Sequence, residues 1–180
     1  MRKSDKKYAA EYMLNPSASK FSGENVVYIG KWYYFILDEK KVKNTKILLC
    51  ALSILQMFLF IAAGIYDTLA TFTPYVFVPY IFLFLPLAMN IGCTASALSY
   101  KVKITHKQYD KKILVQKYYN ISVLIISSAV LICDCVMLIL NKEDLKPTED
   151  LVFTLFVAII DISSYVSLKN HRKLLCTTEC

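Results

Sequence analysis

Two acidic side chains inside long apolar runs are the groups most able to do chemistry in this sequence. Asp134 lies in the second half of the run from Ile121 to Leu140, and Asp161 lies near the middle of the next run. A carboxylate inside a bilayer costs free energy, so such acids pair with another group or mark an ion pathway. We therefore take both as candidates for an ion or proton site or for a polar core.

The depth of the two acids suggests that they could meet. One short loop connects the end of the third apolar run to the start of the fourth. At the rise of an α-helix, Asp134 lies ~9 Å and Asp161 ~15 Å from the ends of the runs at this loop. Two facing carboxylates in a low dielectric would share a proton, which is the arrangement that a proton-coupled site would use. The alternative is structural, because polar side chains also hydrogen-bond across membrane helices and fix which helices pair.

Other polar residues inside the apolar runs extend this candidate site. Gln56 lies near the centre of the first run and Asn90 lies in the second, while Ser164 and Tyr165 follow Asp161 by one helical turn. Together with the acids, these side chains could line a polar cluster between helices or a narrow cavity.

Metal and catalytic chemistry find little support in the sequence. Cys133 and Cys135 flank Asp134, but residues two apart on a helix point ~200° apart, so both thiolates cannot bind one ion. We find neither a nucleophile paired with histidine nor an acid motif typical of membrane proteases. The sequence therefore predicts no metal, no cofactor and no enzymatic activity.

Four apolar blocks have to position these residues. The chain of 180 residues is 56% hydrophobic, and blocks of about 20 apolar residues match ~30 Å of hydrocarbon. The predicted spans are about 46–66, 74–100, 119–140 and 151–168. This pattern predicts an all-α integral membrane fold, a four-helix transmembrane bundle in which spans joined by short loops are neighbours.

The second span carries a helix-packing signal. Ala88, Gly92 and Ser96 recur every four residues, and small residues at that spacing let helix backbones approach closely. We therefore expect a helix–helix contact at this half of the span.

The basic residues predict orientation. Ten Lys and Arg precede or begin the first span, six lie in the middle loop and three in the C-terminal tail, whereas the first connection carries none and the third only two. By the positive-inside rule, both termini and the middle loop are cytoplasmic in a multi-pass protein of the cell membrane. The same Lys and Arg residues should contact anionic headgroups.

The net charge of the chain could also suggest a nucleic-acid partner. No nucleic-acid-binding motif accompanies the net charge of +7, so we expect no nucleic-acid partner.

The segments outside the spans are short. Residues 1–45 are predicted to form a cytoplasmic basic and aromatic juxtamembrane segment, and residues 169–180 a cytoplasmic basic tail. Within the first segment, an aromatic and lysine anchor is the favoured interpretation. Two strands turning at Gly30–Lys31 and a surface helix from Trp32 are the alternatives.

These features predict a membrane protein that acts by association, as a homo-oligomer or as an accessory subunit of a membrane complex. The alternative is a small proton- or cation-coupled transporter or channel that uses Asp134 and Asp161.

Overall fold

The computed structural model describes residues 8, 11–14, 26–99, 103–141, 147–174 and 176–178. Most of the segment before residue 26, the middle of the third connection and the last two residues lie outside this description. The predicted segment 1–45 and tail 169–180 are therefore covered only in part.

Four long helices form the body of the protein. They are α1 (Glu39–Ile65), α2 (Pro74–Leu98), α3 (Val115–Leu140) and α4 (Pro147–His171). Each is long and apolar enough to cross a membrane, which confirms the prediction of a helical membrane bundle with four candidate spans. α1 begins earlier than the predicted span, because polar and basic residues ahead of the apolar block continue the same helix.

The helices pack as an antiparallel ring. α1 lies against α2 and α4, and α3 lies against the same two helices. The helices joined by short connections are therefore neighbours, as predicted, and α1 lies diagonally across from α3.

Buried residues follow a period of 3.5 along the helices. On α3 they advance in alternating steps of four and three: Gln116, Asn120, Val123, Ser127, Val130, Asp134 and Met137. This is the period of left-handed helical bundles, in which one narrow stripe of each helix faces the axis. Every seventh residue from Asn120 is polar, so the stripe alternates between polar and apolar layers.

A small sheet closes one end of the bundle. Its central strand is β3 (Trp32–Phe35), which pairs antiparallel with β4 (Lys103–Thr105) on one side and with β5 (Cys176–Thr178) on the other. A separate antiparallel pair joins β1 (Tyr12–Leu14) to β2 (Val26–Tyr28). We call the end that carries these strands the sheet end.

The strand positions near Gly30 agree with one of the sequence alternatives, but the pairing does not. β2 and β3 lie on either side of Gly30, yet they do not form a hairpin with each other. The aromatic and β-branched residues favour strand locally, whereas the partners come from the middle loop and the C-terminal tail. Trp32–Phe35 is therefore a strand of a three-stranded sheet, and the interpretation of this segment as an aromatic and lysine anchor stays a prediction.

Apolar packing fixes the sheet to the helices. Phe35 of β3 and Ile104 of β4 are buried in one cluster with Val42 of α1 and Leu174 after α4. The ammonium of Lys46 lies 4.6 Å from the centroid of the Phe35 ring, a cation–π contact. The sheet thus belongs to the same packed body as the helices.

Irregular helix precedes α3. A helical turn at His106–Gln108 has Thr105 as its N-cap, with the reciprocal bonds of a capping box, and a π-helix follows at Tyr109–Leu114. π-Helical turns are rare and often mark functional positions. A further helical turn, Leu69–Phe72, forms the first connection at the opposite end of the bundle.

Candidate functional site

A three-helix hydrogen-bonded hub lies in the sheet-end half of the interior. The side-chain amide of Asn90 on α2 donates to Ser53 Oγ on α1 at 3.1 Å and to Asn120 Oδ1 on α3 at 3.1 Å. Asn90 and Asn120 are fully buried. A single amide thus joins three of the four helices.

The fourth helix joins one turn further along. Gln56, three residues after Ser53 on α1, donates through Nε2 to Ser164 Oγ on α4 at 3.0 Å. Both side chains are fully buried. The structure therefore brings Gln56, Asn90 and Ser164 into the interior, at neighbouring levels.

Asp161 lies at the interface between α3 and α4. Its Oδ1 accepts from Ser127 Oγ at 2.5 Å and from Ser128 Oγ at 2.9 Å. Two hydroxyl donors from the neighbouring helix therefore hold this half-buried carboxyl.

Asp134 lies at the same interface between α3 and α4, nearer the end of the bundle opposite the sheet end. Its Oδ2 is 2.6 Å from Thr154 Oγ1 on α4, and the same hydroxyl lies 2.9 Å from the Asp150 carbonyl oxygen. A hydroxyl carries one proton, so Thr154 can donate to only one of these oxygens at a time. If Asp134 is protonated, its carboxyl O–H can donate to Thr154 Oγ1. The Thr154 hydroxyl then donates to the Asp150 carbonyl oxygen.

The two acids do not form the facing pair that the sequence allowed. The partners of Asp161 precede Asp134 on α3 by six and seven residues, about 10 Å of helix. Each carboxyl instead bonds to hydroxyls of the opposite helix. A proton shared directly between the acids is therefore excluded in this arrangement.

Several buried polar atoms within the described chain have no hydrogen-bond partner. They include one side-chain oxygen each of Gln56, Asn90 and Asp134, the hydroxyl of Ser167, and both polar atoms of Gln116. These residues come from all four helices. Buried polar atoms without partners are uncommon in proteins, so these atoms are the part of the interior that the hydrogen bonds between the helices do not account for.

Two of the predicted positions lie outside the interior. Tyr165 is 62% exposed on the outer surface of α4, because one residue beyond Ser164 turns by ~100° away from the axis. Gly92 also faces outward, and an added Cβ there would meet no atom within 4 Å. Gly92 therefore makes no close contact with another helix of the chain, whereas Ala88 and Ser96 are half-buried and Ser96 accepts a hydrogen bond from Lys112; the predicted packing of this stripe against a helix stays a prediction.

Some interior residues were missing from the sequence-based set. Asn120 and Gln116 lie at the start of α3, near the predicted edge of the span, and both are buried. The signal that finds them is their spacing from Ser127 and Asp134, which follows the 3.5-residue period. A search by heptad position rather than by depth in the apolar run would have included them.

A second polar cluster lies at the sheet end. His106 Nδ1 is 2.7 Å from Glu11 Oε1, and His106 Nε2 is 3.5 Å from Asp110 Oδ2. Tyr8 donates to Asp110 at 2.9 Å, and the Tyr33 ring stacks on the imidazole. The imidazole thus connects the N-terminal segment to the start of the third helical segment.

Tyr28 reinforces this connection. Its hydroxyl accepts from the His106 backbone N–H at 3.1 Å and lies 3.2 Å from Glu11 Oε2. Burial, and after it the Glu11 charge, raise the pKa of the Tyr28 phenol, so the phenol stays neutral over a wider pH range. Among the described residues, no group of three or more His, Cys, Asp or Glu side chains could hold a metal ion.

Comparison of the chain with known protein families, with curated proteins and with solved structures gives no match.

Proposed function

We propose that this chain is a non-enzymatic membrane protein that acts by association, with further copies of itself or as an accessory subunit of a larger membrane complex. In this proposal it resides in the cell membrane with its sheet end in the cytoplasm. The observation that carries it is the outward position of Gly92. Open space beside a glycine on a lipid-facing helix lets a second helix approach its backbone.

The residues next to Gly92 support the same contact. Ala88 and Ser96, one turn before and one turn after it, are half-buried. The Ser96 hydroxyl donates to the Gly92 carbonyl at 2.7 Å and accepts from the Lys112 ammonium at 3.1 Å, so its own hydrogen-bonding groups are used within the chain. Hydrocarbon gives no hydrophobic drive between helices, and close backbone packing is therefore the main source of association energy.

The interior hydrogen bonds fit the same proposal. Four interior side chains bond to a helix other than their own within the same chain: Asn90, Gln56, Asp161 and Asp134. In this role they hold the four helices in one arrangement, which keeps the outer surface of α2 rigid. A rigid surface loses less entropy on binding than a mobile one.

Energy transfer between donor- and acceptor-labelled copies in liposomes tests association directly. We expect transfer to rise with the protein-to-lipid ratio and Gly92→Leu to weaken association roughly tenfold, since lost close packing at one contact costs about 1–2 kcal/mol. Ala51→Leu, which introduces the same side chain at an exposed position of α1, should leave association unchanged.

Two outcomes contradict parts of this proposal. If both leucine variants behave alike, α2 is not the contact surface. If the wild type stays monomeric at every ratio, the homo-oligomer is rejected. The accessory-subunit form then requires a co-purifying membrane protein that is lost with Gly92→Leu and kept with Ala51→Leu.

A second candidate function is proton- or cation-coupled transport. The observation that favours it is the fully buried Asp134, which keeps one oxygen without a partner among the described residues. Intramembrane acids that are not fully paired mark ion and proton pathways. The unpaired amide oxygens of Gln56 and Asn90 would extend such a pathway toward the sheet end.

Replacing each acid by its amide separates the two candidates. Asp134→Asn and Asp161→Asn keep the size of the side chain but remove the ionisable group. If the chain transports protons, both variants should lower proton flux in pH-dye-loaded proteoliposomes at least tenfold. If it acts by association, energy transfer between copies should persist in both variants and the wild type should give no flux above empty liposomes.

A further inference from the structure

An apolar groove runs along the outer surface between α2 and α3. It has a volume of about 590 Å³. Its lining is almost wholly apolar and comprises Val78, Pro79, Phe82, Leu85, Pro86, Tyr119, Ser122, Ile125, Ile126 and Ala129. Its α3 side runs from Tyr119 to Ala129, about 15 Å at helical rise. In a membrane this groove opens to hydrocarbon.

Two prolines inside α2 explain why a groove forms between α2 and α3. Pro79 and Pro86 lie inside α2 and both line it. A proline inside a helix lacks the N–H of the regular ladder and its ring clashes with the preceding turn, which bends the helix away from straight packing. Small residues on the facing side, Ser122 and Ala129, leave the space unfilled.

A lysine lies beyond the sheet-end limit of the groove. Lys112 precedes Tyr119 by seven residues, about 10 Å of helix, and its ammonium donates to Ser96 Oγ on α2 at 3.1 Å. Lys112 lies in the π-helix that leads into α3, so its bond joins α2 to the segment that continues as the other wall of the groove, and its side chain is half-exposed. An ammonium has three donors, so two remain for another acceptor.

We propose that this groove binds one anionic phospholipid, with an acyl chain along α2 and α3 and the phosphate at Lys112. The apolar length matches the hydrocarbon part of one leaflet, about half of ~30 Å. The step of about 10 Å to Lys112 matches the glycerol and phosphate layer together with the reach of the lysine side chain. The basic sheet end favours an anionic headgroup over a neutral one.

The dimensions favour a lipid over a second protein helix. A second helix, about 10 Å wide, could place only part of its surface in an open groove of about 590 Å³. A single acyl chain is much thinner than a helix, and the phospholipid that carries it also supplies the anionic phosphate that Lys112 can bind. The lipid site shares Ser96 with the stripe around Gly92, because Lys112 donates to that hydroxyl, but lipid binding requires no second copy of the chain.

Native mass spectrometry of the full chain in mild detergent tests the site. We titrate phosphatidylglycerol and, separately, phosphatidylcholine with the same acyl chains. The wild type should bind one phosphatidylglycerol at least tenfold more tightly than one phosphatidylcholine. Lys112→Gln should remove this preference, Lys112→Arg should retain it, and Ala129→Phe should weaken binding of both lipids about tenfold by filling the groove.

Matched controls distinguish this site from general basicity and general crowding. Lys117→Gln changes an exposed lysine in the first turn of α3, five residues after Lys112, and Ala51→Phe enlarges an exposed alanine of α1. Both should change lipid affinity by less than twofold, and circular dichroism should confirm that every variant keeps its helix content. Equal effects of Lys112→Gln and Lys117→Gln would overturn the site in favour of a diffuse basic surface.

Two further results would also overturn the proposal. Competition by soluble glycerol phosphate as effective as by the lipid would mean that only a phosphate is bound, without the groove. Loss of energy transfer between copies in Ala129→Phe, with lipid affinity unchanged, would assign the groove to a second copy.

Discussion

At the scale of single residues, Asn90 has the largest structural role in the interior. It is fully buried and donates to Ser53 on one neighbouring helix and to Asn120 on the other. No other described side-chain bond in the bundle joins three helices. Membrane helices gain little from apolar contact with each other, so such a bond fixes which faces meet.

Replacing this amide by an apolar side chain of similar size should destabilise the bundle. Asn90→Leu removes both bonds, and we expect the free energy of unfolding to fall by about 1–3 kcal/mol, at ~0.6–1.7 kcal/mol for each interhelical bond. Reversible unfolding in mixed detergent micelles, followed by circular dichroism, measures the change. Met89→Leu, at the exposed neighbouring position, is the control, and equal stability of the two variants would contradict the role of Asn90.

The sequence predicted which residues are polar and intramembrane, but not how they pair. Ser127 precedes Asp134 by two turns of the same helix, and Thr154 precedes Asp161 in the same way, so sequence proximity associates each hydroxyl with the wrong acid. In the structure the partners are exchanged: Ser127 bonds to Asp161 and Thr154 to Asp134. Two antiparallel helices side by side bring opposite positions together, and their register depends on packing that no local pattern encodes.

At the scale of elements, the central strand β3 joins segments that are far apart in the chain. Tyr34 lies opposite Lys103 of the middle loop on one side and opposite Thr177 of the C-terminal tail on the other. The aromatic and β-branched composition around Gly30 indicated strands, whereas three-residue partners such as β4 and β5 are too short for a periodic signal. The helices were predictable because their apolar blocks are long.

A proline in β3 should release both neighbouring strands. Tyr34→Pro removes the backbone N–H and cannot be accommodated in a central strand, so we expect amide exchange in residues 103–105 and 176–178 to accelerate at least tenfold. Exchange in the middle of α1 and α3 should not change. Hydrogen–deuterium exchange with mass spectrometry provides the measurement.

The matched control places proline just outside the strand. Ile36 is exposed and follows β3, and proline there favours the extended conformation that Phe35 already has. Ile36→Pro should therefore preserve the slow exchange of both edge strands. If Tyr34→Pro leaves that exchange slow as well, the three-stranded sheet does not hold these segments together.

At the scale of the whole molecule, the sheet brings three distant segments of the chain to one end of the bundle. β3, β4 and β5 come from the N-terminal segment, the middle loop and the C-terminal tail. These are the three segments that contain ten, six and three of the 21 Lys and Arg residues. Strand pairing and charge distribution are independent observations, and both put these segments at one end of the bundle.

Cysteine labelling in intact cells tests this arrangement and its orientation. In a variant with all six native cysteines replaced by serine, a single cysteine is introduced at the exposed positions Lys31, Arg172 or Phe72. Lys31→Cys and Arg172→Cys lie at the sheet end, and by the positive-inside rule a membrane-impermeant maleimide should label them only after permeabilisation. Phe72→Cys, in the connection at the opposite end, should be labelled at once in intact cells. If Lys31→Cys and Arg172→Cys were labelled from opposite sides, the shared sheet would be wrong; if both were labelled from outside, only the orientation would reverse, because the sheet keeps the two positions on one side.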